Sequence, residues 1–257
     1  MTLAHQNCKL FLDEKIRLYH QPFFIANDPI SIPHQFSKPQ DIEISGFFAA
    51  ILAWGNRTTI INSCKKLLKL MDDSPHQFIT QHQPQDLKPF LSFVHRTFNA
   101  TDLLYFIFVL QQHYLQHKSL EPAFGPFDKT SWNVKQNLIQ FHHYFFSFEH
   151  PQRTLKHIAT PQRKSACKRL NMFLRWMVRN DEKGVDFGLW RNIKPDQLVV
   201  PLDVHVASVA HRLGLIPSEK SNWDNAEQLT NLLKTWNPND PCIYDFALFS
   251  LGVEERF

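Results

Sequence analysis

VVPLDVHVASVAHRLGL, residues 199–215, is the stretch from which the rest of the chain can be ordered. Leu202, Val206, Val209, Ala210 and Leu213 recur at helical spacing, so one face of a short helix points inward. Asp203 stands where an N-cap belongs, two residues after Pro201, and Gly214 stands where a left-handed C-terminal residue belongs. The simplest role for Asp203 is therefore structural. Its carboxylate accepts hydrogen bonds from first-turn N–H groups, an arrangement worth about 1 kcal/mol.

Composition sets the outer bounds. With 257 residues, 43% of them hydrophobic, the chain can bury a large core and is expected to be globular. No apolar run approaches the roughly 18 residues of a membrane span. The opening MTLAHQNCKLFLDEK lacks the apolar core of a signal peptide, and a cytoplasmic location is expected. Cys8, Cys64, Cys167 and Cys242 are scattered without a C-x-x-C pair, which excludes a zinc ribbon and a four-cysteine iron–sulfur cluster. The 7 glycines form no G-x-G-x-x-G or G-K-[ST] motif, which argues against a nucleotide cofactor site. His142 and His143 are adjacent and face different directions on a helix, a poor spacing for a metal. No cofactor and no metal are expected. A net charge of +4 permits nucleic-acid binding without demanding it.

Periodicity makes most of the chain helical. A helix over Leu10–Tyr19 is followed by HQPFFIANDPISIPHQFSKPQ, which is aromatic and Pro-bearing and should wrap over a helical body. Asp41 can cap a helix whose apolar face is Ile44, Phe47, Phe48, Ile51 and Leu52. A corner at Trp54-Gly55-Asn56-Arg57 leads into a second helix that stops before Pro75. Further helices are expected over Asp86–Phe93, Ala100–His117, Trp132–Phe148, Asn225–Leu233 and the final YDFALFSLG.

The segment PQRKSACKRLNMFLRWMVRND, residues 161–181, is the second informative stretch. Ala166, Leu170, Phe173, Leu174, Met177 and Val178 form an apolar stripe. Lys164, Lys168, Asn171, Arg175 and Arg179 lie opposite at spacings of three and four. Such a basic face is either simply solvated or a surface for phosphates. Asp245 is unusual in an otherwise apolar helix, since a buried Asp is rare unless paired.

The phrase P-L-D-x-H-V-x-x-V-x-x-R-L-G-L resembles a segment of the helix-hairpin-helix DNA glycosylases of the endonuclease III and 8-oxoguanine glycosylase types. The resemblance implies an all-α, two-lobed fold with Asp203 as the catalytic carboxylate. In that superfamily a glycine hairpin precedes a lysine that attacks the sugar. Here A-C-K-R-L occupies that place without the glycines, so Lys168 takes the lysine's position and Lys164 competes with it. The terminal D-x-x-L-F-x-x-G is similar to the helix that presents an acid and an aromatic ring to the extruded base in the archaeal-type enzymes, which places Asp245 and Phe249 there. The layout around Trp54 and Asn56 is similar to the corner that reaches the lesion. Taken whole, the phrases DPISIPHQF, FFAAILAWGNR, SACKRLNMFLRWMVR and PLDVHV also resemble a bacterial family whose function is unassigned.

The chemistry implied is base excision from a flipped nucleotide. A neutral Lys168 amine would attack C1′ while Asp203 takes its proton and stabilises the cationic sugar. Arg169 and Arg175 are the candidates for the neighbouring charge that keeps the amine neutral. Trp54 and Phe249 would stack on the base, and Asn56 or Asp245 would read its edge. Arg57, Arg163, Lys164, Arg169 and Arg175 would contact phosphates. The expected partner is double-stranded DNA with a damaged base such as 8-oxoguanine, bound by a monomer. The expected division is a first lobe over 41–125, with 1–40 and 126–257 forming the second. A non-catalytic DNA- or RNA-binding protein on a similar shell is the alternative, and a helical interaction scaffold a third.

Overall fold

A computed structural model describes residues 3–127 and 133–257. In chain order its helices are α1 (Leu3–Tyr19), α2 (Phe23–Ala26), α3 (Pro39–Leu52), α4 (Arg57–Leu70), α5 (Pro75–Gln81), α6 (Ala100–Tyr114), α7 (Val134–Phe145), α8 (Lys168–Val178), α9 (Val204–Arg212), α10 (Trp223–Trp236) and α11 (Tyr244–Val253). The strands are β1 (Val94–His95) and β2 (Phe98–Asn99), a two-stranded antiparallel hairpin. The chain is thus mostly helical. Trp132, the expected start of the helix that became α7, lies outside the described residues.

Two compact units emerge. The first comprises Met1–Phe24, Asn133–Lys135 and Thr160–Phe257; the second comprises Ile25–Trp132 and Gln136–Ala159. These boundaries differ from the expected 41–125 lobe for a packing reason. Pro29, Ile30 and Pro33 are buried in short 3-10 turns against α3, which draws residues 25–40 into the second unit. Phe141 and Phe145 of α7 meet Phe47 of α3 at centroid distances of 6.1 and 6.0 Å, which draws in most of α7.

Within the second unit α3 is the central helix, and Ile42–Leu52 are all buried. A helix apolar on all sides must be enclosed. Its one buried charge, Glu43, has its carboxylate satisfied by the Tyr114 and Ser119 hydroxyls and the Leu120 N–H. Asp41 does not cap α3 as expected. The helix starts at Pro39 after Lys38, and Asp41 accepts instead from the His76 N–H of α5 at 2.8 Å. The stretch expected as a helix over Asp86–Phe93 is a 3-10 segment, Pro84–Ser92, because Pro89 supplies no N–H to an α-helical ladder.

Within the first unit α8 is enclosed in the same way, with Leu170–Val178 all buried. Residues 161–167 do not join it. They form a 3-10 turn and a loop with left-handed Lys164 (φ 58) and Cys167 (φ 49). α11 packs on α1 and α9, and Gly252 lets its backbone approach His205 and Val209 closely. α9 follows its sequence. Asp203 caps it, Val206, Ala207, Val209 and Ala210 are buried, and Gly214 (φ 70) turns the chain so that the Leu215 N–H reaches the Ala210 carbonyl.

Candidate active site

The turn that precedes α8 and the turn that precedes α9 converge through a third segment. The Trp223 N–H donates to the Lys164 carbonyl at 3.2 Å, Ser165 bridges to Asn222, and the Ser221 hydroxyl donates to the Leu202 carbonyl at 2.7 Å. These contacts bring Lys168, the first residue of α8, to the N-cap of α9. Lys168 Nζ stands 3.8 Å from Asp203 Oδ2.

Asp203 divides its two oxygens. Oδ1 accepts from the His205 and Val206 N–H groups at 3.0 and 2.9 Å, as an N-cap does. Oδ2 faces the lysine. The capping role and the pairing with Lys168 therefore coexist in one side chain. Both side chains remain reachable, at 23% exposure for Lys168 and 20% for Asp203. Arg163 and Lys164 are exposed on the preceding turn, and Lys220 is exposed on the segment that joins the two turns. Burial lowers the Arg169 guanidinium to about 10.

The remaining basic residues of α8 require correction. Asn171, Arg175 and Arg179 are not a solvated or phosphate-facing row: they are buried at 1%, 4% and 2% exposure. Arg175 Nη1 donates to Asp245 Oδ2 at 2.5 Å, and its Nε lies 3.3 Å from Asp186. Arg179 pairs with Asp186 and binds Asp240 through Nε and Nη2 at 2.8–3.0 Å. Both guanidinium groups also lie over the Phe246 ring, Arg175 at 4.5 Å. Arg175 is consequently unavailable to a phosphate.

Asp245 is corrected for the same reason. At 4% exposure and bonded to Arg175, it belongs to the core and presents no free edge to a base. Burial lifts its carboxyl to about 6 against the pull of the Arg175 guanidinium, with Asp203 pushing the same way and Lys168 opposing. Phe249 is half-buried, edge-on to Phe24 at 6.2 Å.

Trp54, Asn56 and Arg57 belong to the second unit. Trp54 is half-buried, stacked on His157 at 5.8 Å and edge-on to His95 at 5.2 Å. Asn56 uses its Oδ1 to cap α4 through the Thr59 N–H. Gly55 has φ 102, a backbone conformation in which a side chain would be strained.

Asp186, Asp240 and Lys220 were not singled out from the sequence. The one pointer to the first two was the rule that a buried acid needs a partner. Two arginines on an enclosed helix need acids just as firmly.

Residues 28–254 match the family described as a protein of unknown function (DUF2400), and the chain belongs to that family. No curated protein and no solved structure matches it. This corrects the assignment to the helix-hairpin-helix glycosylases. The match is to a family without an assigned function, and every residue that carried the glycosylase resemblance lies inside the matched span. Within the phrase around Asp203, the structure shows a cap, a buried stripe and a left-handed glycine.

Proposed function

We propose that the first unit acts on the sugar of a damaged nucleotide in double-stranded DNA, with Lys168 as nucleophile and Asp203 as its base. The observation that carries this reading is the 3.8 Å approach of Lys168 Nζ to Asp203 Oδ2, with both side chains open to solvent. An amine and a carboxylate at that separation can pass a proton between them with a small adjustment. The amine, having given its proton to Asp203, attacks C1′. The C1′–N bond breaks, and the base leaves with the bonding electrons and takes up a proton. Opening of the sugar ring then yields a Schiff base with the lysine. The exposed cations Arg163, Lys164 and Lys220 would supply salt-dependent contact with phosphates. The reading rests on this geometry and not on membership of a glycosylase family.

Borohydride trapping on duplexes carrying 8-oxoguanine or an abasic site tests it. A covalent adduct lost in Lys168→Ala and kept in Lys164→Ala supports the assignment. An adduct lost only in Lys164→Ala moves the nucleophile to the exposed turn. No adduct and no base release, alongside salt-sensitive binding, replaces the enzyme with a non-catalytic nucleic-acid-binding protein.

A further inference from the structure

The second unit carries a cavity for which the Lys168–Asp203 chemistry has no use. α5 ends at His82, whose backbone N–H and ring Nδ1 both reach the Phe78 carbonyl, at 3.0 and 2.9 Å. A carbonyl oxygen only accepts, so Nδ1 carries the ring proton and Nε2 of the neutral imidazole keeps a lone pair. The ring is held in place: it stacks on Phe78 at 5.1 Å, and Phe78 leans on the enclosed Phe90 at 5.0 Å. Beyond His82 the 3-10 segment Pro84–Ser92 packs along α6. Between them lies a half-open cavity of about 250 Å³. α6 lines it with Leu104, Ile107, Phe108 and Gln111, spaced as one helical face, and the 3-10 segment adds Pro84 and Leu87. Phe108 is fixed edge-on to Phe148 at 5.2 Å yet stays 40% exposed, so an apolar ring is left facing water here. His82 and Gln111 supply the polar groups, and neither Nε2 nor the carboxamide is hydrogen-bonded within the described chain.

We propose that this cavity binds a flat two-ring molecule with apolar faces and one N–H or O–H group at its edge. The volume sets the size. An apolar cavity of roughly 150 Å³ takes a single benzene ring, so one of about 250 Å³ has room for two fused rings. The lining sets the chemistry, since small-molecule sites pair mostly apolar walls with a few directional polar groups. The ring faces lie against Leu87, Leu104 and Phe108, with Ile107 as the floor. The edge donor meets His82 Nε2, and the Gln111 carboxamide can donate to or accept from a second edge group. Every residue of the site belongs to the second unit, so it stands independently of the reaction proposed for the first.

Indole is the probe, and 1-methylindole, which lacks the donor, is its counterpart. Calorimetric titration of the full wild-type chain should show saturable indole binding with a Kd of about 1 mM or tighter. 1-Methylindole should bind about five-fold more weakly, as expected for one lost hydrogen bond. His82→Phe keeps a ring on Phe78 and removes the acceptor, so it should bind the two probes alike, a change of selectivity that lost stability alone does not produce. Leu104→Trp fills the cavity and should abolish binding. Equal wild-type affinities for the two probes overturn the proposal, and that comparison needs no variant to fold. Indole binding that survives Leu104→Trp overturns it too, by placing the probe elsewhere. So does the absence of saturable binding; if the chain then self-associates in sedimentation and Phe108→Ser abolishes this, the face belongs to a second copy of the chain.

Discussion

Asp203→Asn and Asp203→Ala, taken together, separate what the two oxygens of one carboxylate do. Oδ1 holds the first turn of α9 through two N–H groups, and Oδ2 faces Lys168 across 3.8 Å. Removing an N-cap costs about 1 kcal/mol, and a partly exposed ion pair adds about 0–1 kcal/mol once solvent screening is allowed for. Asp203→Ala should therefore lose about 1–2 kcal/mol in all. At about 2–4 °C per kcal/mol for a protein of this size, that is a fall of roughly 2–8 °C in Tm. Asp203→Asn keeps a capping oxygen and loses the charge. Its stability should stay within about 0.5–1 kcal/mol of wild type, while any base-excision rate falls about 10²–10⁴-fold with the loss of a general base. Denaturant unfolding followed by helix ellipticity reads the first quantity, and single-turnover base release reads the second. If Asn destabilises as much as Ala, the stabilisation comes from the charge facing Lys168 and not from the cap. If Asn reacts at the wild-type rate, Asp203 is a cap alone and the proposed chemistry is wrong.

Arg179→Met should cost about 3–5 kcal/mol, because it takes from the buried Asp186 its nearest cation and leaves it only the 3.3 Å approach of Arg175 Nε; a loss under about 1 kcal/mol in denaturant unfolding would show that the cluster is poorly coupled to the fold. Asp245 gives a pH signature. Its carboxyl is raised from 3.8 to about 6, so folding favours the protonated form. The associated stability is fully present below about 4 and is lost as pH rises through about 6, a swing of up to about 3 kcal/mol that Asp245→Asn should flatten in melts taken across that range. Lys220→Ala should reduce the slope of log affinity against log salt for duplex DNA by about 1, and an unchanged slope would remove the segment around residue 220 from the interface.

The stretches that could be read from sequence were those whose structure depends on neighbours in the chain. α9 needs a cap, a stripe and a terminal glycine, and all three lie within Leu202–Gly214. The helix pair around the Trp54 corner was legible for the same reason, although its caps were not: Asp41 does not cap α3, and Asn56, read as reaching a base, caps α4. α8 was misread because its meaning lies elsewhere. Arg175 and Arg179 have the spacing of a surface row, yet their partners Asp245 and Asp240 are 70 and 61 residues away. Periodicity reports which residues share a face and is silent on what covers that face. The loop after α8 supplies that cover, since Phe187 and Trp190 donate their N–H groups to the Trp176 and Met177 carbonyls. The approach of Lys168 to Asp203 depends on contacts from Ser221–Trp223, which no local pattern announces.

The enclosed carboxylate of Glu43 has a consequence for the order in which the second unit comes apart. Its donors are the Tyr114 and Ser119 hydroxyls and the Leu120 amide, all at or just past the end of α6. Peeling residues 114–120 away would leave the Glu43 carboxylate, in the second turn of α3, without its donors, at a cost of several kcal/mol. Slow deuterium uptake at Leu120 should therefore match that of the α3 amides, although Leu120 itself lies outside any α-helix. A short connector is in this way recruited into the most persistent cooperative block of its unit.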